Sequence, residues 1–222
     1  MPTKDSLFEK IDFAVLLEGS FNPEIFQPYW FKETGVLSKK EFEEVEVKII
    51  TRDITVLKSK FFSLKVSKSE FYIEIGDYAF IEILIETIRA IFVHLSQQPV
   101  SKLELRTDVH YSLKDEKSRD NIYQAISNYS IWDGIFENPK VKHVIIADKE
   151  VDGKQNSIQV SNCISNPKHI QIYGITHCDL GKIFDSKKED VRANVLDKYL
   201  NMDLIDENVN FSVNAFLKLL ND

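Results

Sequence analysis

Between residues 77 and 111 the chain passes from an apolar repeat of three and four residues to one of two. Ile81, Leu84, Ile85, Ile88, Ile91, Phe92 and Leu95 recur at helical steps, with Glu82, Glu86 and Arg89 between them. That spacing puts the apolar side chains on one helix face. It predicts a helix from Asp77 to Leu95, with Asp77 as its N-cap because its carboxylate can accept an unpaired amide of the first turn. Beyond Gln98-Pro99, Leu103, Leu105, Thr107, Val109 and Tyr111 alternate with Glu104, Arg106, Asp108 and His110. Strict alternation marks an antiparallel strand with one core face and one wet face.

The same reading extends in both directions. IDFAVLL, residues 11 to 17, reads as a buried strand. Residues 42 to 75 read as three strands, the middle one ITVLKSKFFSLKV, with hairpin joints at Thr51-Arg52-Asp53 and Ser67-Lys68-Ser69. Ser112 and Asp115 have the spacing of a capping box for a helix to about Ser127. Three more strands are expected at 142–149, 157–164 and 168–178, with a turn at Val151-Asp152-Gly153 between the first two. Ser186 and Glu189 would open a helix to Leu200 through Val191, Val195, Leu196 and Tyr199. Val209, Val213, Phe216, Leu217 and Leu220 define a C-terminal amphipathic helix.

This order of elements predicts an α+β fold, with antiparallel sheets backed by a long central helix, two β-rich halves and C-terminal helices. The halves would be 1–128 and 141–222, joined by a packed connection at 129–140 that carries Trp132, Ile135 and Phe136, or fused into one continuous domain. The two halves share an order of strands and helices, but no residue-level repeat supports a duplication.

Composition narrows the classes of function. The chain has 28 basic and 35 acidic residues, a net charge of −7, and neither half is basic. It therefore lacks the gross electrostatic footprint of a nucleic-acid or anionic-membrane binder. Glu82, Glu86, Arg89 and His94 interrupt the most apolar segment, so no membrane helix is expected. Two cysteines, Cys163 and Cys178, cannot build a disulfide framework, and MPTKDSLFEK lacks the apolar run of a signal peptide; a reduced cytoplasmic protein is the expectation.

No Gly-x-Ser-x-Gly elbow, glycine-rich phosphate loop or dinucleotide fingerprint occurs. The five histidines fall in no metal-binding spacing, and His177 and Cys178, adjacent on a strand, point to opposite faces. No metal or cofactor is expected on these grounds. What remains is the row Glu104, Arg106, Asp108 and His110, of which His110, Asp108 and Arg106 are the candidate catalytic residues. A carboxylate can orient an imidazole and raise its basicity, and arginine can hold an anion. Cross-strand charge pairing on a solvated sheet uses the same residue types.

Two stretches are candidates for partner binding: the aromatic cluster Phe21, Phe26, Tyr29, Trp30 and Phe31, and Phe216 and Leu220 of the last helix. Aromatic residues dominate binding hot spots, and they equally close the end of a core. Lys58, Lys60, Lys65 and Lys68, with Phe61 and Phe62, superficially suggest a nucleic-acid ribbon. In a continuous strand, however, Lys58 and Lys60 face away from Lys65.

SKLELRTDVHYSL, with Arg106 after the apolar helix, and IQIYGITHCDL in the second half resemble an uncharacterised, sporadically distributed family of bacterial α+β proteins. The resemblance implies an arginine-bearing strand directly after a long helix, a β-rich second half ending in helices, and a defence or toxin–antitoxin setting. It transfers no catalytic residue. The functional expectation is a noncatalytic protein-binding or assembly module of a bacterial cytoplasmic multi-protein system, acting through a protein partner or self-association. A hydrolase using the His/Asp/Arg row is the alternative, and nucleic-acid binding through the lysine-rich hairpin is a third.

Overall fold

The computed structural model describes residues 8–127, 143–162, 168–181 and 200–221, together with Ile135 and Leu196. The described strands are β1 (Phe8–Gly19), β2 (Glu46–Ile50), β3 (Ile54–Lys58), β4 (Ser63–Ser67), β5 (Glu70–Ile75), β6 (Val100–Ser112), β7 (His143–Ala147), β8 (Lys154–Asn162) and β9 (His169–Asp179). They form one sheet in the order β2-β3-β4-β5-β1-β6-β9-β8-β7, antiparallel at every pairing. The helices are α1 (Pro28–Glu33), α2 (Lys39–Glu43), α3 (Ile81–His94), α4 (Glu116–Ile126) and α5 (Met202–Asn221). The fold is thus a mixed α+β one built on a large antiparallel sheet. Strands from both halves share it, since β6 pairs with β1 on one side and with β9 on the other.

The core lies on one face of the sheet. Phe13, Val15 and Leu17 of β1, Phe71, Ile73 and Ile75 of β5, and Leu103 and Leu105 of β6 are buried together with Leu84, Ile88 and Ile91 of α3. Farther along the sheet, Val109, Tyr111, Ile170 and Ile172 pack with Phe216 of α5 and with Ile122 and Tyr123 of α4. Each fully buried large side chain contributes about 1.5–3 kcal/mol relative to exposure. This two-residue alternation is what the pattern in β6 predicted.

Several expectations are corrected. The apolar segment after Gly76 is not one long helix. Asp77 accepts the amide of Ala79 at 2.9 Å, which opens a 3₁₀ turn at Tyr78–Phe80, and the α-helix proper spans 14 residues. ITVLKSKFFSLKV is two strands rather than one. The Ser59 hydroxyl accepts the amides of Phe61 and Phe62, and its own amide donates to the Phe62 carbonyl, so the chain reverses there. That reversal re-phases the pleat. Lys58 pairs with Ser63 and Val56 with Lys65, so Lys58 and Lys65 share a face after all.

Ser112 is still in β6, and Asp115 alone caps α4 by accepting the Ser118 amide at 2.8 Å. Asp115→Ala is expected to fray the first turn of α4, read as faster amide exchange at Ser118 with the sheet amides unchanged. The predicted turn before β8 is observed, with Asp152 at φ 50° and Gly153 at φ 79°, the left-handed pair that closes a two-residue hairpin. The proposed connection at 129–140, apart from Ile135, and the Ser186/Glu189 box with Val191, Val195 and Tyr199 lie outside the described residues.

Candidate functional site

Opposite the core, the sheet presents its polar face, and antiparallel pairing decides which side chains meet there. Asp12 of β1 lies directly across from Asp108 of β6, which lies across from Tyr173 of β9 and, one strand farther, Gln159 of β8. The neighbouring row runs Lys10, His110, Gln171 and Ser161, and the row on the other side runs Glu74, Ala14, Arg106, Ile175 and Ser157. Here the turn between β3 and β4 rises at the side of a depression of about 650 Å³. Its lining includes Lys58, Lys60 and Phe61 from the turn, Asp12, Arg106 and Asp108 from the sheet centre, and Tyr72 and Tyr173. That volume suits a small-molecule ligand.

Behind the two lining carboxylates, His110 Nε2 stands 3.1 Å from Asp12 Oδ2 and 3.1 Å from Asp108 Oδ2. Lys10 Nζ donates to the same Asp12 oxygen at 2.7 Å, and Gln171 Nε2 reaches Asp108 Oδ2 at 3.3 Å and His110 Nδ1 at 3.5 Å. The three side chains are 11%, 18% and 26% exposed for His110, Asp108 and Asp12. Oδ1 of Asp12 and Oδ1 of Asp108 are closed to solvent and make no hydrogen bond. Burial pushes the Asp108 carboxyl up to about 6; the nearby His110 opposes the rise and Asp12 adds to it. Two carboxylates directly opposite on paired strands destabilise a sheet, so this pair is maintained against the sheet's own preference.

Arg106 and Glu104 extend the site along β6. The Arg106 Nε donates to Glu104 Oε1, while His177 Nε2 lies 3.0 Å from Glu104 Oε2. Glu104 is buried rather than solvated, which corrects the expectation of a fully wet row. Tyr72 donates to Glu74 at 2.6 Å; burial and that carboxylate hold its hydroxyl above the usual range. Thus the acids of the lining are engaged within the site. Lys58 and Lys60 are paired with no acid among the described residues, Lys60 lying instead 5.5 Å from the Phe61 ring centroid. The pocket therefore offers positive charge to a ligand although the chain as a whole carries −7.

The structure brings together the three candidates His110, Asp108 and Arg106 at or beside this pocket. Asp12 completes the cluster, and sequence reasoning missed it. Its only signal is a single acid inside the apolar run IDFAVLL, alternate to Phe13 and Val15 and so on the outer face. His169, on the same face, is held by Glu9 at 3.1 Å and stays out of the pocket lining.

The partner-binding candidates divide differently. Phe21, Phe26 and Phe31 are buried in the core of this chain, where Phe26 packs on Phe71 with ring centroids 5.7 Å apart. Phe216 is buried against Tyr111, the rings stacked at 3.4 Å. These four apolar side chains are already used internally and cannot present themselves to a partner. Trp30 is half-buried and Tyr29 is 66% exposed; the side chain of Leu220 lies outside the described residues. No described helix is long and apolar enough to cross a membrane. No protein-family model matches the sequence, and no curated protein shows significant similarity to it.

Proposed function

We propose that the protein is a hydrolase acting on small phosphate esters bound in the pocket on the polar sheet face. The observation that carries this reading is the convergence of Asp12 and Asp108, both in contact with His110, in the lining of a ligand-sized depression beside Lys58 and Lys60, which have no acidic partner among the described residues. The lysines and Arg106 hold the phosphoryl oxygens, and Tyr72 and Tyr173 border the organic part of the ester. In the reaction a water oxygen bonds to phosphorus as the bond from phosphorus to the leaving oxygen breaks. The water's proton passes to the carboxylate cluster, which returns it to the leaving oxygen, so that an alcohol and a phosphate are released.

Steady-state hydrolysis of p-nitrophenyl phosphate and bis(p-nitrophenyl) phosphate tests this reading. Replacing both Lys58 and Lys60 by alanine is expected to raise KM about tenfold with kcat little changed, the result of losing ground-state and transition-state binding alike. No turnover of either ester by the wild-type chain between pH 5 and pH 9 would overturn the assignment.

A second reading, assembly through self-association, is favoured by the two ends of the sheet. The edge strand β2 exposes Val47, Ile49 and Ile50, and the opposite edge β7 exposes Ile145 and Ile146. Open apolar edges are templates for strand addition. Light scattering after size exclusion is expected to give a dimer or larger that Ile145→Lys dissociates; a monomer at high micromolar concentration removes this reading.

A further inference from the structure

We propose that Asp12, Asp108 and His110 bind a divalent transition-metal ion, Mn²⁺ or Zn²⁺, with its remaining coordination positions open to the pocket. The inference rests on the hydrolase reading only for the use made of the ion; the seat itself stands on geometry. His110 Nε2 and the two Oδ2 atoms approach to 3.1 Å, and the donor atoms of all three residues lie within 4.8 Å of one another. With metal–ligand bonds of about 2.1 Å, neighbouring donors are about 3.0 Å apart in an octahedron and about 3.4 Å apart in a tetrahedron. Both separations from His110 to a carboxylate fall in that range, so an ion could join the imidazole to either carboxylate with only small side-chain adjustment.

Two independent features point to a cation rather than to a simple hydrogen-bonded histidine. The carboxylates of Asp12 and Asp108 are cross-strand partners, an arrangement of like charges that the single ammonium of Lys10, bound to Asp12, offsets only in part. Each also has a second oxygen, Oδ1, that is sealed from water and unpartnered, although a buried polar atom is normally satisfied. Because each Oδ1 shares its carboxylate with a donor of the cluster, an ion there would lie within its reach and supply the missing interaction.

The donor set also selects the ion. One imidazole and two carboxylates suit a borderline cation better than Ca²⁺, which takes six to eight oxygen ligands, or Mg²⁺, which keeps most of its water. Three protein ligands are what metal sites with an exchangeable position use. Asp12 and Asp108 both line the pocket, so an ion on them borders the space where the ester would lie. There a bound water would lose its proton more readily than in bulk.

The test is direct metal binding by the full chain. After EDTA treatment and removal of the chelator, MnCl₂ and ZnCl₂ are titrated separately by calorimetry. A single site of micromolar or tighter affinity is expected, weakened at least about tenfold by Asp12→Asn, Asp108→Asn or His110→Ala. The melting temperatures of the metal-free variants show that the loss is not unfolding. Binding far below one ion per chain, or binding that survives Asp12→Asn and Asp108→Asn together, would overturn the inference. The two proposals separate cleanly: failure of the titrations with ester hydrolysis retained leaves the hydrolase and removes the ion. Stoichiometric binding with no ester hydrolysis leaves the ion and removes the hydrolase.

Discussion

Gly174→Ala is expected to cost about 2–3 kcal/mol of folding stability, because the added methyl has no room between β9 and α5. A Cβ at Gly174 would lie 1.7 Å from Ser212 Oγ and 2.9 Å from Ser212 Cβ, with the Asn208 carbonyl oxygen 3.4 Å away. The helix sits this close because it docks through polar side chains. Asn208 Nδ2 donates to Thr176 Oγ1 at 2.7 Å, Thr107 donates to Asn208 Oδ1, and Thr176 Oγ1 donates to Asn156 Oδ1 at 2.9 Å. Pushing α5 outward would break that buried network, and its members would lose partners they cannot replace with water. The check is chemical denaturation of the single variants and of the pair with Ser212→Gly, which removes both obstructing atoms. In the Ser212→Gly background the cost of Gly174→Ala should fall below about 1 kcal/mol; strictly additive costs would show that the close approach is not the cause.

Asp108→Asn is expected to do two opposite things: lower ester hydrolysis at least about a hundredfold and stabilise the metal-free protein at pH 8. The sign of the second effect follows from linkage. The folded-state pKa of Asp108 is raised from 3.8 to about 6, so the folded protein holds this proton more tightly than the unfolded chain does. The corresponding stabilisation is complete below about pH 4 and is lost as pH rises through about 6. At pH 8 the charged carboxylate therefore works against folding. A shift of this size corresponds to about 3 kcal/mol in full, and partial solvent exposure reduces it to about 1–2 kcal/mol. Thermal unfolding of wild type and variant in EDTA at pH 5 and pH 8 checks this; the gain should be present at pH 8 and shrink toward pH 5. A variant less stable than wild type at pH 8 would mean that Asp108 is kept for its contact with His110 rather than for chemistry. Residues that reduce stability while serving a site are the usual form of the trade-off between activity and stability.

Much of this architecture was legible in the chain. The alternation from Leu103 to Tyr111 identified a strand with Arg106, Asp108 and His110 on one face; Arg106 and Asp108 line the pocket and His110 contacts Asp108. The turn at Asp152-Gly153 and the capping role of Asp77 were also readable, because each depends on the chemistry of one or two neighbouring residues. The break at Ser59 was not. A hydroxyl that accepts the backbone amides two and three residues on competes with strand continuation, and the flanking apolar residues hide that competition. The stripe of α5 was legible only in part: Val209, Val213 and Phe216 pack on the core as expected. Its innermost positions include Asn208 and Ser212, which look like surface residues until Thr107, Thr176 and Gly174 are placed beneath them.

By itself, then, the sequence determined much of the local conformation and the facing of strands such as β6, since period, turn chemistry and capping act over a few residues. Tertiary structure decided which faces meet. Asp12 and His110 lie 98 positions apart, and only the pairing of β1 with β6 sets them within hydrogen-bonding distance. The same pairing places two carboxylates opposite one another, an arrangement without any signature in the order of residues, because cross-strand neighbours are chosen by register. The aromatic side chains from Phe21 to Phe31 show the converse: their composition suited either a core or an interface, and burial against Phe71 and Phe92 assigned Phe21 and Phe26 to the core.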